Sequence, residues 1–329
     1  MRSTHRRRAG LAVLALAVIA TACSDDDDGA GPDTTTPAVS AGSVSGPDPS
    51  APGPVAPGGT DDAGSAPAGS SPEPVVPTLD DTVERGGSQL ATVDLTSGAT
   101  TPLGRIGGEG DDVGILGLAV VPGGPSGVYG LTDAPELVTF DVGDPSTVTA
   151  TVPISGVASG STLLAIDVDL ADGTLYALSD AAVLYTIDPT TGAATAVGTG
   201  LGEPLADPGF GFDVDPTTGL VRVEVATGEH LLVVPSTGTV DADAESVIGQ
   251  PVSYDPADAS AIVAPRVVAL AFTANGELYG VDAETGNLVH QSPPDAGLLR
   301  TVGPLGLVLT DGTSFDISPD GRALIAVPG

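Results

Sequence analysis

The sequence predicts an all-β fold, a five-bladed β-propeller over residues 88–329, because two hairpin patterns alternate along that region at a regular spacing. Two hairpins per repeat make a four-stranded unit, and about 40–50 residues in four strands are typical of one propeller blade. The turn glycines of the first pattern are 46, 46, 57 and 45 residues apart: Gly127, Gly173, Gly219, Gly276 and Gly321. Four blades, or six with an irregular one, remain alternatives at this point.

The first hairpin pattern is an apolar strand, a turn ending in Gly and a second strand that often contains Tyr. Its five copies lie at 118–131, 166–178, 212–223, 270–281 and 315–327. The second pattern is a short β-rich run, a Pro/Thr/Gly turn and another run, as hairpins require. Its copies lie at 137–153, 184–198, 231–243 and 288–303. No stretch shows helical periodicity bounded by caps, which argues against β/α repeats.

A further copy of the second pattern, SQLATVDLTSGATTPLG (88–104), has no first hairpin before it. Its ATVDLTSGATTPLG aligns strand for strand with YTIDPTTGAATAVG (185–198). At the other end, the first hairpin at 315–327 is followed by no second hairpin. We therefore expect the N-terminal strands to complete the last blade, which closes the ring and removes open sheet edges.

Residues 1–22 have the layout of a lipoprotein signal peptide. An arginine-rich start and an apolar run from Ala9 to Ala22 precede the single cysteine, Cys23, as in secretory signals. The tripeptide Ala20-Thr21-Ala22 resembles a bacterial lipobox, so we expect Cys23 to become the lipidated first residue of the mature chain. The alternative is an ordinary signal peptide, with Cys23 as a free thiol. The prediction is thus an exported lipoprotein on the outer face of the cell membrane.

Residues 23–87 are predicted to be a disordered acidic linker. The segment consists mainly of Pro, Gly, Ser, Thr, Ala and Asp, and such a composition cannot bury enough apolar surface to offset the entropy of ordering. The whole chain has a net charge of −33, which repels phosphate groups. The sequence therefore argues against nucleic acid as a partner, and it predicts membrane contact through the lipid only.

Three aspartates are the candidate metal ligands. Asp167, Asp213 and Asp316 occupy the same place in the first strand of three repeats, where the other two repeats carry alanine. First strands line the axis of a propeller, so the three carboxylates are expected to converge and to hold a divalent cation such as calcium, helped by Asp169 and Asp215. The alternative is that each Asp accepts hydrogen bonds from its own turn. No catalytic residue and no other cofactor is predicted.

The two histidines and three tyrosines of the repeat region have structural interpretations. His230 and His290 each lie in a second hairpin, and we expect them to be surface or structural residues. Tyr129, Tyr176 and Tyr279 share one position in the second strand of a first hairpin. Packing between blades explains them better than a ligand site does.

Three long stretches resemble the bacterial family called domain of unknown function 4394. They are VYGLTDAPELVTFDVGDPSTVTATVPISGV (128–157), LLAIDVDLADGTLYALSDAAVLYTIDPTTGAATAVG (163–198) and LYGVDAETGNLVHQSPPDAGLLRTVGPLG (278–306). The resemblance implies an exported protein with a propeller-like β-repeat, and it implies no reaction. Where the family tends to carry polar residues, this chain has HLLVV (230–234), so no polar site is expected there by analogy.

The sequence leaves two classes of function. The first is a non-catalytic binding or interaction module whose loops recognise a protein, a glycan or a small molecule. The second is a metal-assisted extracellular hydrolase or lactonase that uses the axial aspartates, which the fold alone does not exclude. The insertion at about residues 244–262 is the longest predicted loop and a candidate contact surface, so its deletion is expected to abolish binding without unfolding the ring.

Overall fold

A computed structural model of the chain describes residues 87–108, 110, 113–121, 127–202, 209–225, 230–241 and 251–329. The predicted signal peptide, Cys23 and the linker up to residue 86 lie outside these residues and stay predictions. Within the described part of the chain, no helix is long and apolar enough to cross a membrane.

The described residues form five sheets, and each sheet contains the four antiparallel strands of one blade. Blade 1 contains β3 (Ile115–Val120), β4 (Gly127–Thr132), β5 (Glu136–Asp141) and β6 (Asp144–Pro153). Blade 2 contains β7 (Leu163–Val168), β8 (Leu175–Ser179), β9 (Leu184–Ile187) and β10 (Ala194–Val197). Blade 3 contains β11 (Phe210–Val214), β12 (Val221–Val225), β13 (His230–Val234) and β14 (Thr239–Val240).

The last two blades depart from this simple order along the chain. Blade 4 contains β16 (Val267–Phe272), β17 (Leu278–Asp282), β18 (Asn287–Gln291) and β19 (Leu298–Pro304), with β15 (Ser253–Tyr254) added outside β19. A single 3₁₀ turn, η1 (Pro294–Ala296), connects β18 to β19. Blade 5 contains β20 (Ser314–Ile317) and β21 (Ala323–Pro328) with β1 (Ser88–Val93) and β2 (Thr100–Arg105).

The blades form a closed ring around an axis. The inner strands β3, β7, β11, β16 and β20 contact one another in that order, and β20 contacts β3 again. Closure depends on β1, which pairs with β21 from Ser88 opposite Pro328 to Val93 opposite Ala323. The prediction of a five-bladed ring completed by N-terminal strands is therefore confirmed.

Blade interiors are apolar because both faces of an inner strand are covered by neighbouring blades. Each predicted packing tyrosine supports this arrangement. Tyr129 of blade 1 packs on the blade 2 cluster around Ile166, and Tyr176 of blade 2 belongs to the cluster that contains Phe212 of blade 3. Tyr279 packs on the cluster shared by blades 4 and 5. The tyrosines thus stabilise contacts between blades, as expected from their shared position.

Part of the predicted insertion loop is a packed strand. Tyr254 in β15 pairs in parallel with Leu299 in β19, and its ring is buried beside Val289 and Val252. The Tyr254 hydroxyl donates a hydrogen bond of 2.5 Å to the Asp282 carboxylate. Deletion of 244–262 would therefore remove an integral edge of blade 4, so it is a poorer test of binding than the sequence suggested.

Candidate functional site

Three buried carboxylates lie together at the axis of the ring. Asp167 is on β7, Asp213 on β11 and Asp316 on β20, and one carboxylate oxygen from each lies within 4.8 Å of the others. Each side chain is more than nine-tenths buried. The structure therefore brings together the three aspartates that the repeat alignment selected.

Each axial aspartate joins its own blade to the next one. The Asp167 carboxylate accepts a hydrogen bond of 2.8 Å from the backbone N–H of Val214 in blade 3. Asp213 accepts one from the Phe272 N–H in blade 4, and Asp316 accepts one from the Val120 N–H in blade 1. These donors belong to the neighbouring inner strand. Asp167 and Asp316 also accept a hydrogen bond from the N–H of the next residue, Val168 and Ile317 respectively, so inter-blade and local donors both contact the axial carboxylates.

The two predicted helpers cap turns instead. Asp169 accepts a hydrogen bond of 2.8 Å from the Ala171 N–H, and Asp215 accepts one of 2.8 Å from the Thr217 N–H. These bonds are the ordinary Asx geometry of a tight turn. The carboxylates of Asp169 and Asp215 thus have a local role that explains their presence without a metal.

Burial raises the pKa of all three axial carboxyl groups. The pKa of Asp316 is raised to about 6 by loss of solvation, although N–H donors oppose the shift. The pKa values of Asp167 and Asp213 lie well above the ordinary value, because burial and the nearby carboxylates disfavour the charged form. A cluster of this kind either retains protons at neutral pH or pairs with a cation.

Little space is available at the axis. The cavity lined by the three aspartates has a volume of about 10 Å³, roughly the size of one water molecule or ion. A second axial cavity, lined by Leu116, Ala165, Phe210 and Ser314 among others, has a volume of about 30 Å³. Neither cavity has room for an organic substrate beside the carboxylates.

A larger cavity of about 210 Å³ lies away from the axis, and we call it the rim cavity. The segment that leads from β6 of blade 1 to β7 of blade 2 forms most of its wall. Its lining is Asp133, Pro135, Ile154, Ser155, Gly156, Val157, Ala158, Ser161, Thr162 and Leu163. Aliphatic surface therefore alternates with backbone and hydroxyl groups, and Asp133 supplies one exposed carboxylate.

Hydrogen bonds to blade 2 hold this wall in place. Ser155 forms an isolated parallel bridge with Ala193, and the Tyr185 hydroxyl accepts a bond of 3.2 Å from the Ala158 N–H. Gly156 has a φ of 91°, and a Cβ there would overlap a carbonyl oxygen of the bridged strand. The cavity is thus formed by ordered backbone, which lowers the entropic cost of binding.

The profile of a family described as "Domain of unknown function (DUF4394)" matches residues 136–328, which is more than half of the chain. The chain belongs to the DUF4394 family. No curated protein matches this DUF4394 chain. The family assignment agrees with the resemblance found in the sequence.

Two solved structures show low similarity to this DUF4394 protein. One is "YCF48 bound to D1 peptide", with 12% identity and a TM-score of 0.34 over 64% of this chain and 63% of that one. The other is a structural genomics protein of unknown function from Bacteroides thetaiotaomicron, with 14% identity and a TM-score of 0.36 over 72% of this chain and 49% of that one. The matched region thus spans less than two thirds of either structure.

A second group of buried polar residues in the DUF4394 domain was not predicted from the sequence. Arg222, Glu224 and His230 are at most 1% exposed, and they lie on one face of paired strands β12 and β13. His290 is stacked on Tyr279, with 4.8 Å between ring centroids. His230 is thus in a polar environment at the position where the family comparison had argued against a polar site.

Proposed function

We propose that the protein is a lipid-anchored, extracytoplasmic propeller that acts as a non-catalytic interaction module. The distribution of space in the ring is the observation that carries this proposal. The axial cavities are about 10 and 30 Å³, whereas the rim cavity is about 210 Å³ and opens between blades 1 and 2. A rigid, partly apolar depression of that size suits one anchoring side chain of a partner.

Charge indicates what kind of partner fits the rim cavity. The net charge of the chain is −33, and Asp133 is the ionisable residue in the lining. Ile154, Val157 and Leu163 offer aliphatic contacts. The proposed partner is therefore a protein segment with an apolar anchor residue flanked by Lys or Arg, since opposite charge speeds encounter and favours the correct orientation.

Photocrosslinking from the full chain in its own cells tests this proposal. A benzophenone amino acid at Ala158, which lines the rim cavity and is exposed, is expected to yield a discrete crosslinked protein. The matched control places the same amino acid at Thr195, an exposed residue of the blade 2 edge strand β10. Equal crosslinking from both positions would contradict a specific site.

Two substitutions then test the chemistry with the protein that was captured. Ala158→Trp fills the rim cavity and is expected to weaken binding at least tenfold, whereas Thr195→Trp leaves it unchanged. Asp133→Asn is expected to weaken binding less and to reduce its salt dependence, because one exposed charge pair is lost. Binding that survives Ala158→Trp would place the contact surface elsewhere on the ring.

The anchor has its own test, which depends on the N-terminal sequence alone. Processing at Cys23 with acylation is expected to move the protein into the detergent phase of a Triton X-114 extraction. The Cys23→Ser variant is expected to stay in the aqueous phase or to remain unprocessed. Detergent partitioning that does not depend on Cys23 would contradict lipidation at this residue.

The axial cation stays a prediction, and with it the alternative of a metal-assisted hydrolase. Three oxygens that lie within 4.8 Å of one another share a central point no more than about 2.8 Å from each, close to the roughly 2.3–2.6 Å of calcium–oxygen bonds. The cavity there is about 10 Å³, so the geometry favours a structural ion over a catalytic one. Calorimetry with calcium decides between an ion and shared protons, since the ion predicts binding heat and a higher melting temperature.

A further inference from the structure

Three positions in each blade face the following blade, and the strand registers identify them. In blade 2, Tyr176 pairs with Asp167 of the inner strand and Leu178 pairs with Ala165, while Leu184 of the third strand pairs with Leu178. Blade 1 has Tyr129, Leu131 and Leu137 there, blade 4 has Tyr279, Val281 and Leu288, and blade 5 has Leu324, Ala326 and Leu90. Blade 3 has Arg222, Glu224 and His230 at the same positions.

Blade 3 therefore buries charged or titratable groups where the other four blades bury aromatic and aliphatic side chains. Arg222 is 1% exposed, and Glu224 and His230 are both 0% exposed. Six of their polar atoms have no hydrogen-bond partner among the described residues: Arg222 Nε and Nη1, Glu224 Oε1 and Oε2, and His230 Nδ1 and Nε2. Blade 3 thus has polar side chains where the other blades have apolar ones, and direct hydrogen bonds among Arg222, Glu224 and His230 do not offset the cost of burying them.

The groups that surround the three side chains come from blade 4 and its connections. The remaining Arg222 nitrogen, Nη2, pairs with Asp295 of η1, and the guanidinium carbon lies 5.8 Å from the centre of the Phe272 ring. The Gln291 side chain faces the Glu224 carboxyl group and lowers its pKa, while the Gln291 amide nitrogen donates a hydrogen bond of 2.6 Å to the Pro294 carbonyl. Arg222 and Asp295 are therefore the charged neighbours of Glu224 and His230.

We propose that Arg222, Glu224 and His230 form a buried hydration site between blades 3 and 4, which binds a small cluster of internal water molecules and one exchangeable proton. We call these three residues the interface site. Unpaired polar atoms in an interior are costly, and buried waters that make two to four hydrogen bonds are the usual solution. The interface site supplies guanidinium donors, imidazole nitrogen and carboxyl oxygen on one face of β12 and β13, which is the donor and acceptor set that water requires.

Burial shifts the pKa values of Glu224 and His230 in opposite directions. Burial raises the pKa of Glu224 to about 7, against the opposing charge of Arg222. Burial and the Arg222 charge lower the pKa of His230 to about 4. Between these values Glu224 carries the proton and His230 is neutral, so both side chains are uncharged hydrogen-bonding groups that water can bridge.

The ring architecture does not require polar residues at these positions. The same backbone positions accept Tyr, Leu and Leu in blade 2, so an apolar solution exists for this architecture. Gly211 on the inner strand lacks a side chain at the point where Leu270 of blade 4 approaches, which shows that the two blades pack closely next to the polar group. The interface site therefore stands inside a well-packed contact, independently of the proposed interaction function.

A crystal structure of the full chain at pH 6 tests the water. We expect at least two ordered waters that bridge two or more of Arg222, Glu224 and His230. Direct bonds among the three side chains with no water between them would overturn the hydration site. This reading is separate from partner binding, since it needs no ligand and survives if the rim cavity proposal fails.

Carbon-13 NMR of the full chain tests the proton. The Glu224 carboxyl carbon is expected to titrate with a midpoint more than two pH units above the ordinary 4.5, while the exposed Glu277 serves as a reference in the same spectra. A Glu224 midpoint below about 5 would overturn the assignment. Glu224→Gln, which keeps the shape of the side chain, identifies the signal.

A matched variant replaces the site with the residues of blade 2. The triple substitution Arg222→Tyr, Glu224→Leu and His230→Leu copies Tyr176, Leu178 and Leu184. We expect it to fold and to lack the internal waters in its own crystal structure, and ordered waters at the same place in that structure would overturn the hydration site. Because the opposite pH dependences of Glu224 and His230 are removed together in the triple variant, the proton is tested by Glu224→Gln alone, and a Glu224→Gln variant with the same pH profile of melting temperature as the original chain would overturn it.

Discussion

The contact between blades 2 and 3 differs from the contact between blades 3 and 4, although the same strand register builds both. Between blades 2 and 3, Tyr176, Leu178 and Leu184 pack on a broad cluster that includes Phe212 and Val223. On the other side of blade 3, the apolar cluster is reduced to Leu270, Phe272 and Leu278 of blade 4. The interface site occupies the remaining area with ionisable groups. One ring thus contains an interface stabilised by apolar burial and another that buries three ionisable side chains.

The largest effect is expected where apolar burial dominates. Leu178 is 0% exposed, so Leu178→Ala is expected to lower the free energy of unfolding by about 2–5 kcal/mol through lost burial and a cavity. Urea denaturation measures this loss. Val308→Ala is the control, because Val308 is 80% exposed and its truncation is expected to change stability little. Equal losses of stability in the two variants would mean that the interface between blades 2 and 3 is not a tightly packed core.

The next largest effect is a pH dependence of stability, which is expected at the interface between blades 3 and 4 and not at the one between blades 2 and 3. The unfolded chain releases the Glu224 proton near 4.5, whereas the folded chain holds it to about 7, so this residue makes the fold less stable as pH rises across that window. At about 1.4 kcal/mol per pKa unit, Glu224→Gln is expected to gain about 3 kcal/mol relative to the original chain between pH 4.5 and 7. Thermal unfolding across that range measures the difference, and a constant difference would contradict a buried, protonated Glu224.

His230 is expected to change the stability of the fold with pH in the direction opposite to that of Glu224. Its folded pKa is lowered from 6.5 to about 4, so the unfolded state binds more protons in that window and stability falls as pH drops through it. His230→Asn is therefore expected to gain stability relative to the original chain as pH falls from 6.5 to 4. Because the Glu224 and His230 slopes oppose each other, each single variant reveals a dependence that the original chain partly conceals.

Each of the two interfaces also contains an axial aspartate, and substitution of these aspartates is expected to change stability by a smaller amount. In chelator at pH 7, Asp213→Asn is expected to raise the melting temperature, because the raised pKa of Asp213 means that its ionised form is costly in the folded state. The gain should shrink toward pH 4, where the folded carboxyl is protonated. Asp167→Asn, at the neighbouring interface, is expected to behave in the same way.

Calcium extends that comparison. If the predicted ion binds, added calcium raises the melting temperature of the original chain and has less effect on Asp213→Asn. Differential scanning fluorimetry with and without calcium measures both. A chain that shows no calcium response while Asp213→Asn still gains stability in chelator would indicate shared protons at the axis and remove the cation.

The smallest expected effect concerns the edge of blade 4, outside both interfaces. Tyr254→Phe removes the hydrogen bond from the Tyr254 hydroxyl to Asp282 and keeps the buried ring. One buried hydrogen bond contributes about 1 kcal/mol, so a loss of that size in urea denaturation is expected. A loss several times larger would mean that β15 controls the fold of the whole blade.

The sequence was sufficient for the ring and for its axial acids. Regular spacing of turn glycines such as Gly173 and Gly219 gave the blade length, and the unpaired hairpin at 88–104 gave the closure. Asp167, Asp213 and Asp316 could be grouped because they share one repeat position and because inner strands meet at the axis. Blade length, ring closure and the shared position of the three aspartates can all be read from the periodicity of the sequence.

The interface site was missed because alternation in a strand does not say what covers its polar face. Val221, Val223 and Val225 alternate with Arg222 and Glu224, a pattern that usually means one buried and one solvated face. In a closed ring the second face meets the next blade, so these polar residues are buried. A comparison of equivalent positions across the repeats would have identified Arg222, because three other repeats carry tyrosine at the same position.

The rim cavity was missed for a different reason. Its wall is the connection between β6 and β7, and the path of a connection depends on tertiary contacts such as the bridge between Ser155 and Ala193. Gly156 adopts its left-handed backbone at a point that the repeat pattern does not mark. The repeat pattern therefore leaves residues 154–162 between two predicted hairpins and does not predict the space beneath them.

The central place of β1 in blade 5, between β21 and β2, has a consequence for biogenesis. The ribosome makes β1 before every other strand of the ring, whereas its partner β21 follows the strands of four complete blades. The hairpin of β1 and β2 therefore has no neighbouring strand in its sheet until residues 323–328 have been made.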